Sequence, residues 1–203
     1  MIAVIDLKLG NVKSVGNALS FLKIDHCITD DPEKIQTAGK IIFPGVGSFS
    51  EASKRLRLSG IDQCIRNEVL IKRKPILGIC LGMQLLATCG EEGGESPGLG
   101  LVDAVVSRLR SESKGNRLPH IGWNDVHSLE MSLFNGIENG TCFYFVHSYE
   151  MMLNEICQKA ISNYGVDFVA AIQKGNVCGT QFHPEKSREM GLKLIKNFVE
   201  REF

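Results

Sequence analysis

The chain has no surplus of either charge, no apolar run of transmembrane length and no cysteine-pairing motif, and each absence narrows what it can be. Its 23 lysines and arginines cancel 23 aspartates and glutamates, so no overall field draws it toward nucleic acid or an anionic membrane surface. No apolar stretch approaches the roughly 20 residues that span a bilayer. The N-terminus enters an apolar run at once, without a basic leader or a small-residue cleavage site, and export is not expected. Seven cysteines, at 27, 64, 80, 89, 142, 157 and 178, form an odd set with no Cys-x-x-Cys pair and no histidines at metal-ligand spacing. Neither a disulfide framework nor a metal is therefore expected, no cofactor is implied, and a reducing cytoplasm is the expected setting. Repeats, linkers and low-complexity tracts are also missing, so residues 1–203 are expected to form one domain.

What is present is alternation. Short β-rich apolar runs at 2–5 and 40–43 enclose a helical pattern at 12–22, one or two amphipathic helices are expected between 50 and 72, and 75–79 reads as a buried strand. Such alternation predicts parallel strands joined by crossover helices. A helix is expected over 83–89. The glycine-rich and acidic stretch 90–98 offers turn chemistry but no apolar face, and is expected to be an exposed loop. Beyond it strands predominate, at 101–106, 142–147, 159–163, 168–173 and 177–182, which predicts an antiparallel extension packed on the parallel sheet. Met190, Leu194 and Phe198, with Ile195 and Val199 beside them, form one apolar stripe on a closing helix over 187–202.

The segment Gly78-Ile79-Cys80-Leu81-Gly82 follows the buried strand and opens a helix, the setting of a nucleophile elbow. A residue on so sharp a turn sits in strained backbone, and side chains two positions away on either side would strike neighbouring backbone. The turn aims the sulfur at the start of the next helix, where unpaired amides favour thiolate over thiol. The other six cysteines lack this context and read as small buried hydrophobes.

A thiolate nucleophile needs an imidazole to hold the ion pair and protonate a departing amine. In Gln181-Phe182-His183-Pro184-Glu185, residues two apart in extended backbone share a side, so Glu185 can orient His183 toward the sulfur. His147, in Tyr144-Phe145-Val146-His147-Ser148-Tyr149, is the rival base. His26, His120 and His127 lack a carboxylate at comparable spacing and read as structural or exposed. Attack on an amide places negative charge on its oxygen, which fixed backbone amides stabilise. Leu81 should offer one amide, and the turn Pro44-Gly45-Val46-Gly47, at a strand end where parallel sheets gather their sites, is the second candidate.

Taken together these motifs resemble the class I, or triad, glutamine amidotransferases, a flavodoxin-like α/β fold. Within that class the chain is similar to the glutaminase subunits of imidazole glycerol phosphate synthases, of histidine biosynthesis. The resemblance runs through Asp6, Gly10-Asn11, Pro44-Gly45-Val46-Gly47, Gly78 to Gln84, Pro119-His120-Ile121-Gly122-Trp123-Asn124, Tyr144 to Tyr149 and Gly179 to Ser187. It implies that Cys80, His183 and Glu185 are catalytic, that Gln84, Ser148 and Tyr149 hold L-glutamine, and that the Gly45-Val46 peptide reorients so that this strand, at Val46 and Gly47, completes an oxyanion hole with Leu81.

The resemblance also implies a heterodimer with a separate (βα)8 cyclase that receives ammonia through a closed passage, with Asn11, Trp123, Tyr144 and Lys186 at or near the contact. Two departures leave a second recipient open: Leu7-Lys8-Leu9 stands where the family carries Tyr-Gly, and Ser48-Phe49-Ser50-Glu51 where it carries Ala-Phe-Gly-Asp. A paralogous group with similar sequence supplies nitrogen to bacterial surface sugars. A catalytically silent regulatory subunit is the third reading, and the intact set of three reactive residues speaks against it.

Overall fold

The computed structural model describes residues 1–10, 12–110, 117–127 and 130–202. Strand and helix alternate first: β1 (Ile2–Ile5), α1 (Val12–Phe21), β2 (His26–Thr29), α2 (Pro32–Thr37), β3 (Lys40–Gly45), α3 (Phe49–Ser59), α4 (Ile61–Arg66), a π-helical turn (Asn67–Ile71), β4 (Ile76–Cys80) and α5 (Leu81–Gln84). There follow β5 (Cys89–Gly90), β6 (Ser96–Pro97), β7 (Ala104–Arg108), β8 (His120–Val126), β9 (Thr141–His147), β10 (Tyr149–Leu153), β11 (Gln158–Asn163), β12 (Asp167–Lys174), β13 (Val177–Thr180) and α6 (Arg188–Glu200).

The main sheet has seven strands in the order β11-β12-β13-β4-β3-β1-β2. The five from β13 to β2 run parallel, and β12 and β11 extend the sheet antiparallel. Counted along the chain, the parallel set is ordered 2-1-3-4-5, the flavodoxin-like arrangement, so the expected fold class is borne out. Every residue of β1 and β4 is buried, because helices cover both faces and neither side of these strands meets water. On one face Ile41, Phe43 and Ile76 pack against Phe49 and Leu56 of α3 and Ile61 and Ile65 of α4. On the other Val4, Ile42, Leu77 and Ile79 meet Val15 and Leu19 of α1 and Leu194, Ile195 and Phe198 of α6.

Three local expectations fail. The helix placed at 83–89 is a single turn ending at Gln84. The carbonyls of Leu85, Leu86, Ala87 and Thr88 instead accept amides from residues 98–102, so long-range backbone pairing overrides the helical pattern. The loop 90–98 is in part sheet: β5 pairs with β6 and β7, and β10-β7-β5-β6 form a four-stranded sheet. Gly98 is required there, since a Cβ would lie 2.1 Å from the Ala87 carbonyl oxygen. The strand expected at 101–106 is shifted to Ala104–Arg108; the antiparallel strands expected in this half are present, distributed among three sheets. Short β2, α2, β8 and β10 are further elements that the sequence pattern does not announce.

Candidate active site

Cys80 ends β4, paired with Gly45 of β3, and its backbone stands at φ 55°, ψ −112°. L-residues rarely occupy that region, and the turn survives because its neighbours are glycines. A Cβ on Gly78 would meet the backbone of Gly82 and Met83 at 2.7 Å, and one on Gly82 would lie 1.7 Å from the Phe43 carbonyl oxygen. The elbow is thus wedged between β3 and the next turn of chain. Because α5 is only four residues long, electrostatic help for the sulfur comes from the amides of one turn rather than from a long helix dipole.

His183 is fully buried, and its Nδ1 lies 2.8 Å from Glu185 Oε1, with neither side chain exposed. The two do not meet by strand alternation as expected. Pro184 starts a 3₁₀ turn, Pro184–Lys186, that folds the carboxylate back onto the ring, and the turn is held by Ser187, whose Oγ donates to the His183 carbonyl at 2.6 Å. Glu185 on Nδ1 leaves Nε2 for the sulfur. Burial pulls the imidazole toward its neutral form, but its charge and hydrogen-bond interactions with Cys80, and then with Glu185, outweigh this and hold it well above the ordinary histidine range. The site therefore favours an imidazolium beside the sulfur.

His147, the rival base, has another role. It is buried, and its Nδ1 contacts the Tyr149 carbonyl at 2.9 Å. A carbonyl only accepts, so the proton sits on Nδ1 and Nε2 accepts from His120 Nδ1 at 3.0 Å. Burial lowers His147 to about 3 and His120 to about 4. The pair is a neutral relay that fixes the Ser148-Tyr149 connection between β9 and β10 and cannot take up a proton near neutrality.

Val46, Gly47, Leu81, Gln84, Ser148 and Tyr149 line one cavity of about 250 Å³ with Cys80. Gly45 lies beneath it in β3. Gln84 donates through Nε2 to the Tyr149 carbonyl at 3.1 Å and to Gln181 Oε1 at 3.0 Å. Two further residues belong to the site although sequence reasoning misses them. Glu92, from the stretch expected to be a loop, lines the cavity and accepts the Phe49 amide at 2.7 Å, so it caps α3 at the cavity mouth. Gln181 lies fully buried against the sulfur; its position two residues before His183 at a strand end is the one signal that could have found it.

Trp123 and Tyr144 do not enter this cavity. They stand opposite one another on the β8-β9 hairpin, ring centroids 6.1 Å apart, with Trp123 45% exposed. Lys186 Nζ lies 5.8 Å from the Tyr144 ring centre, and the Arg188 guanidinium 4.9 Å from that of Trp123. Tyr144 also flanks His183, at 6.4 Å between ring centres, so the patch adjoins the reactive residues from outside. Asn11 lies outside the described residues.

A strand-end cysteine beside a carboxylate-oriented histidine, opening on a cavity lined by Val46, Gly47 and Leu81, defines a thiol acyl-transfer enzyme of the α/β class. The family profile of Glutamine amidotransferase class-I matches residues 4–201, and the chain belongs to this family. Among its relatives are imidazole glycerol phosphate synthase subunit HisH 1 of Campylobacter jejuni, 44% identical over 98% of this chain and 99% of that one, and subunit HisH 2 of Pseudomonas aeruginosa, 45% identical over the same shares. Subunit HisH of Moorella thermoacetica is 46% identical over 98% of this chain and 94% of its own. A crystal structure of a glutamine amidotransferase superposes with a TM-score of 0.73 at 22% identity, over 98% of this chain and 97% of that one. A glutamine amidotransferase from Thermotoga maritima gives 0.65 at 19%, over 98% and 82%. At those identities the structures speak for the fold alone.

Proposed function

We propose that this chain is the glutamine-hydrolysing subunit of an imidazole glycerol phosphate synthase, serving histidine biosynthesis in the cytoplasm. The observation that carries the reading is the buried His183–Glu185 pair beside a sulfur raised on the elbow. The Cys80 thiolate attacks the carboxamide carbon of glutamine, and charge passing to the carbonyl oxygen is met by amides of Leu81 and the Val46-Gly47 turn. His183 gives its proton to the departing nitrogen and ammonia leaves. The imidazole then takes a proton from water as it adds to the glutamyl thioester, glutamate is released, and the thiolate returns. Gln84, Ser148 and Tyr149 hold the substrate, and the Glu92 carboxylate at the cavity mouth suits its ammonium group.

Ammonia reacts as the neutral base, so a route closed to water protects it from protonation. This favours docking of a separate (βα)8 cyclase on the face carrying Trp123 and Tyr144, where aromatic rings rimmed by Lys186 and Arg188 have the composition of an interface. A second recipient, a surface-sugar amidotransferase, is favoured by the divergent segments Leu7-Lys8-Leu9 and Ser48-Phe49-Ser50-Glu51. Co-purification from native cells, followed by glutamine hydrolysis with and without the companion and its acceptor ligand, separates them. The expected result is a cyclase companion that raises weak basal hydrolysis, lost in Cys80→Ala. Full turnover in Cys80→Ala would end the assignment.

A further inference from the structure

Gln181 is fully buried between β13 and His183, and its side-chain Nε2 points at the Cys80 sulfur, 3.7 Å away. Which end of this amide faces the sulfur follows from its neighbours. The Tyr149 carbonyl can only accept, so the end of Gln84 that contacts it is Nε2. The same Nε2 lies 3.0 Å from Gln181, which must therefore present Oε1 there and turn its N–H groups toward the sulfur. The Gln181 amide nitrogen of the backbone is itself anchored, donating to the Ala170 carbonyl at 2.8 Å. A buried primary amide with both ends constrained in this way does not fill space as an apolar residue would.

We propose that Gln181 is a catalytic residue: its side-chain N–H holds the Cys80 sulfur as thiolate, and its Oε1 ties that sulfur to the Gln84 side of the substrate cavity. The inference rests on the glutaminase reading for its effect on turnover, but not for its effect on the sulfur. In the resting site the thiol proton resides on His183, and the Gln181 N–H is a second, neutral donor to the negative sulfur. As the carbon–sulfur bond forms, charge passes to the carboxamide oxygen and this hydrogen bond weakens. When the thioester is hydrolysed and the thiolate returns, the bond is restored. No proton is transferred through Gln181. The thiol form can also donate from Sγ to the Val146 carbonyl at 3.7 Å, a contact the thiolate loses; the Gln181 N–H opposes that bias, because a hydrogen bond to a charged acceptor is stronger than one to a neutral thiol.

The test is the pH dependence of Cys80 alkylation by iodoacetamide in the full chain, with glutamine hydrolysis measured alongside. The variants are Gln181→Met, which keeps the length without a donor, and Gln181→Glu, which keeps the shape with an acceptor facing the sulfur. The other titratable groups around this sulfur are His183 with Glu185 behind it, and His147, Tyr149 and Glu92, which line the same cavity; none is changed. Loss of one hydrogen bond to a charged group should raise the alkylation midpoint by about one unit or more and lower kcat/KM by roughly 10- to 100-fold. A folded Met variant with the wild-type midpoint overturns the proposal. Should neither variant fold, the wild-type chain decides it: in ¹⁵N-labelled protein the Gln181 side-chain amide protons should shift when Cys80 is alkylated, and unchanged resonances overturn it. Because alkylation reports on the sulfur itself, loss of the glutaminase reading would leave this result interpretable.

Discussion

If the elbow at Cys80 is strained because a β-carbon sits at φ 55°, ψ −112°, removing that carbon should stabilise the fold while abolishing catalysis. Cys80→Ala and Cys80→Gly both delete the sulfur, so its packing and its contacts with Gln181 and His183 cancel between them. Alanine keeps the β-carbon, whereas glycine adopts the conformation without steric cost. Backbone held in a sparsely populated region stores about 1–3 kcal/mol. Against this, glycine adds unfolded-chain entropy worth roughly 0.5–1 kcal/mol. The net advantage of glycine is then about 1 kcal/mol at mid-range and at most about 2.5, and for a chain of this size each kcal/mol moves Tm by about 2–4 °C. The glycine variant should melt about 2–4 °C above the alanine variant by scanning calorimetry, with neither hydrolysing glutamine. An alanine variant that melts at or above the glycine variant would refute the idea that the nucleophile's geometry is held against a local penalty.

Three further outcomes follow from the same geometry. Gly82→Ala should fail to fold or lose several kcal/mol of stability in urea titration, since its β-carbon would overlap the Phe43 carbonyl oxygen; a native-like midpoint would contradict the wedge. Glu185→Gln should lower kcat by about 10²- to 10⁴-fold with KM nearly unchanged, because the carboxylate charge is lost and an amide can turn its NH2 toward His183 Nδ1, admitting the other tautomer; steady-state kinetics with unchanged kcat would remove Glu185 from the mechanism. Acid should destabilise the fold above the range where carboxylates titrate. Burial holds His120 and His147 far below the ordinary histidine value of 6.5, so the unfolded chain binds their protons first, and the stability these rings contribute is complete above 6.5 and falls as pH drops toward 4. At pH 5 the loss is about 2 kcal/mol per ring. His183 works in the opposite sense, losing stability only as pH rises, so equal urea midpoints at pH 7 and pH 5 would show that the relay is not buried neutral.

Much of the site can be read along the chain because its chemistry is local. An elbow needs glycines two residues either side of the nucleophile, and Glu185 is two residues from the histidine it orients. The parallel half of the sheet is similarly legible: strands covered on both faces are unbroken apolar runs, and α6 shows its buried stripe at intervals of three and four. The failures lie where partners are remote in sequence. Residues 85–88 carry a helical pattern but spend their carbonyls on residues 98–102, and the acidic stretch that reads as solvent-facing loop delivers Glu92 to the cavity mouth.

By itself, then, the sequence indicated the fold class and pointed to Cys80 as the candidate nucleophile with His183 and Glu185 as its candidate partners, since these readings depend on spacing within a few residues. Only the tertiary structure decided that His147 is a neutral prop rather than a base, that Glu185 reaches His183 through a turn, and that Gln181, 101 residues from Cys80, lies against its sulfur. The physical reason is the same throughout. Periodicity reports which side of an element is buried, but burial does not specify the neighbour, and protonation and hydrogen bonding depend on the neighbour.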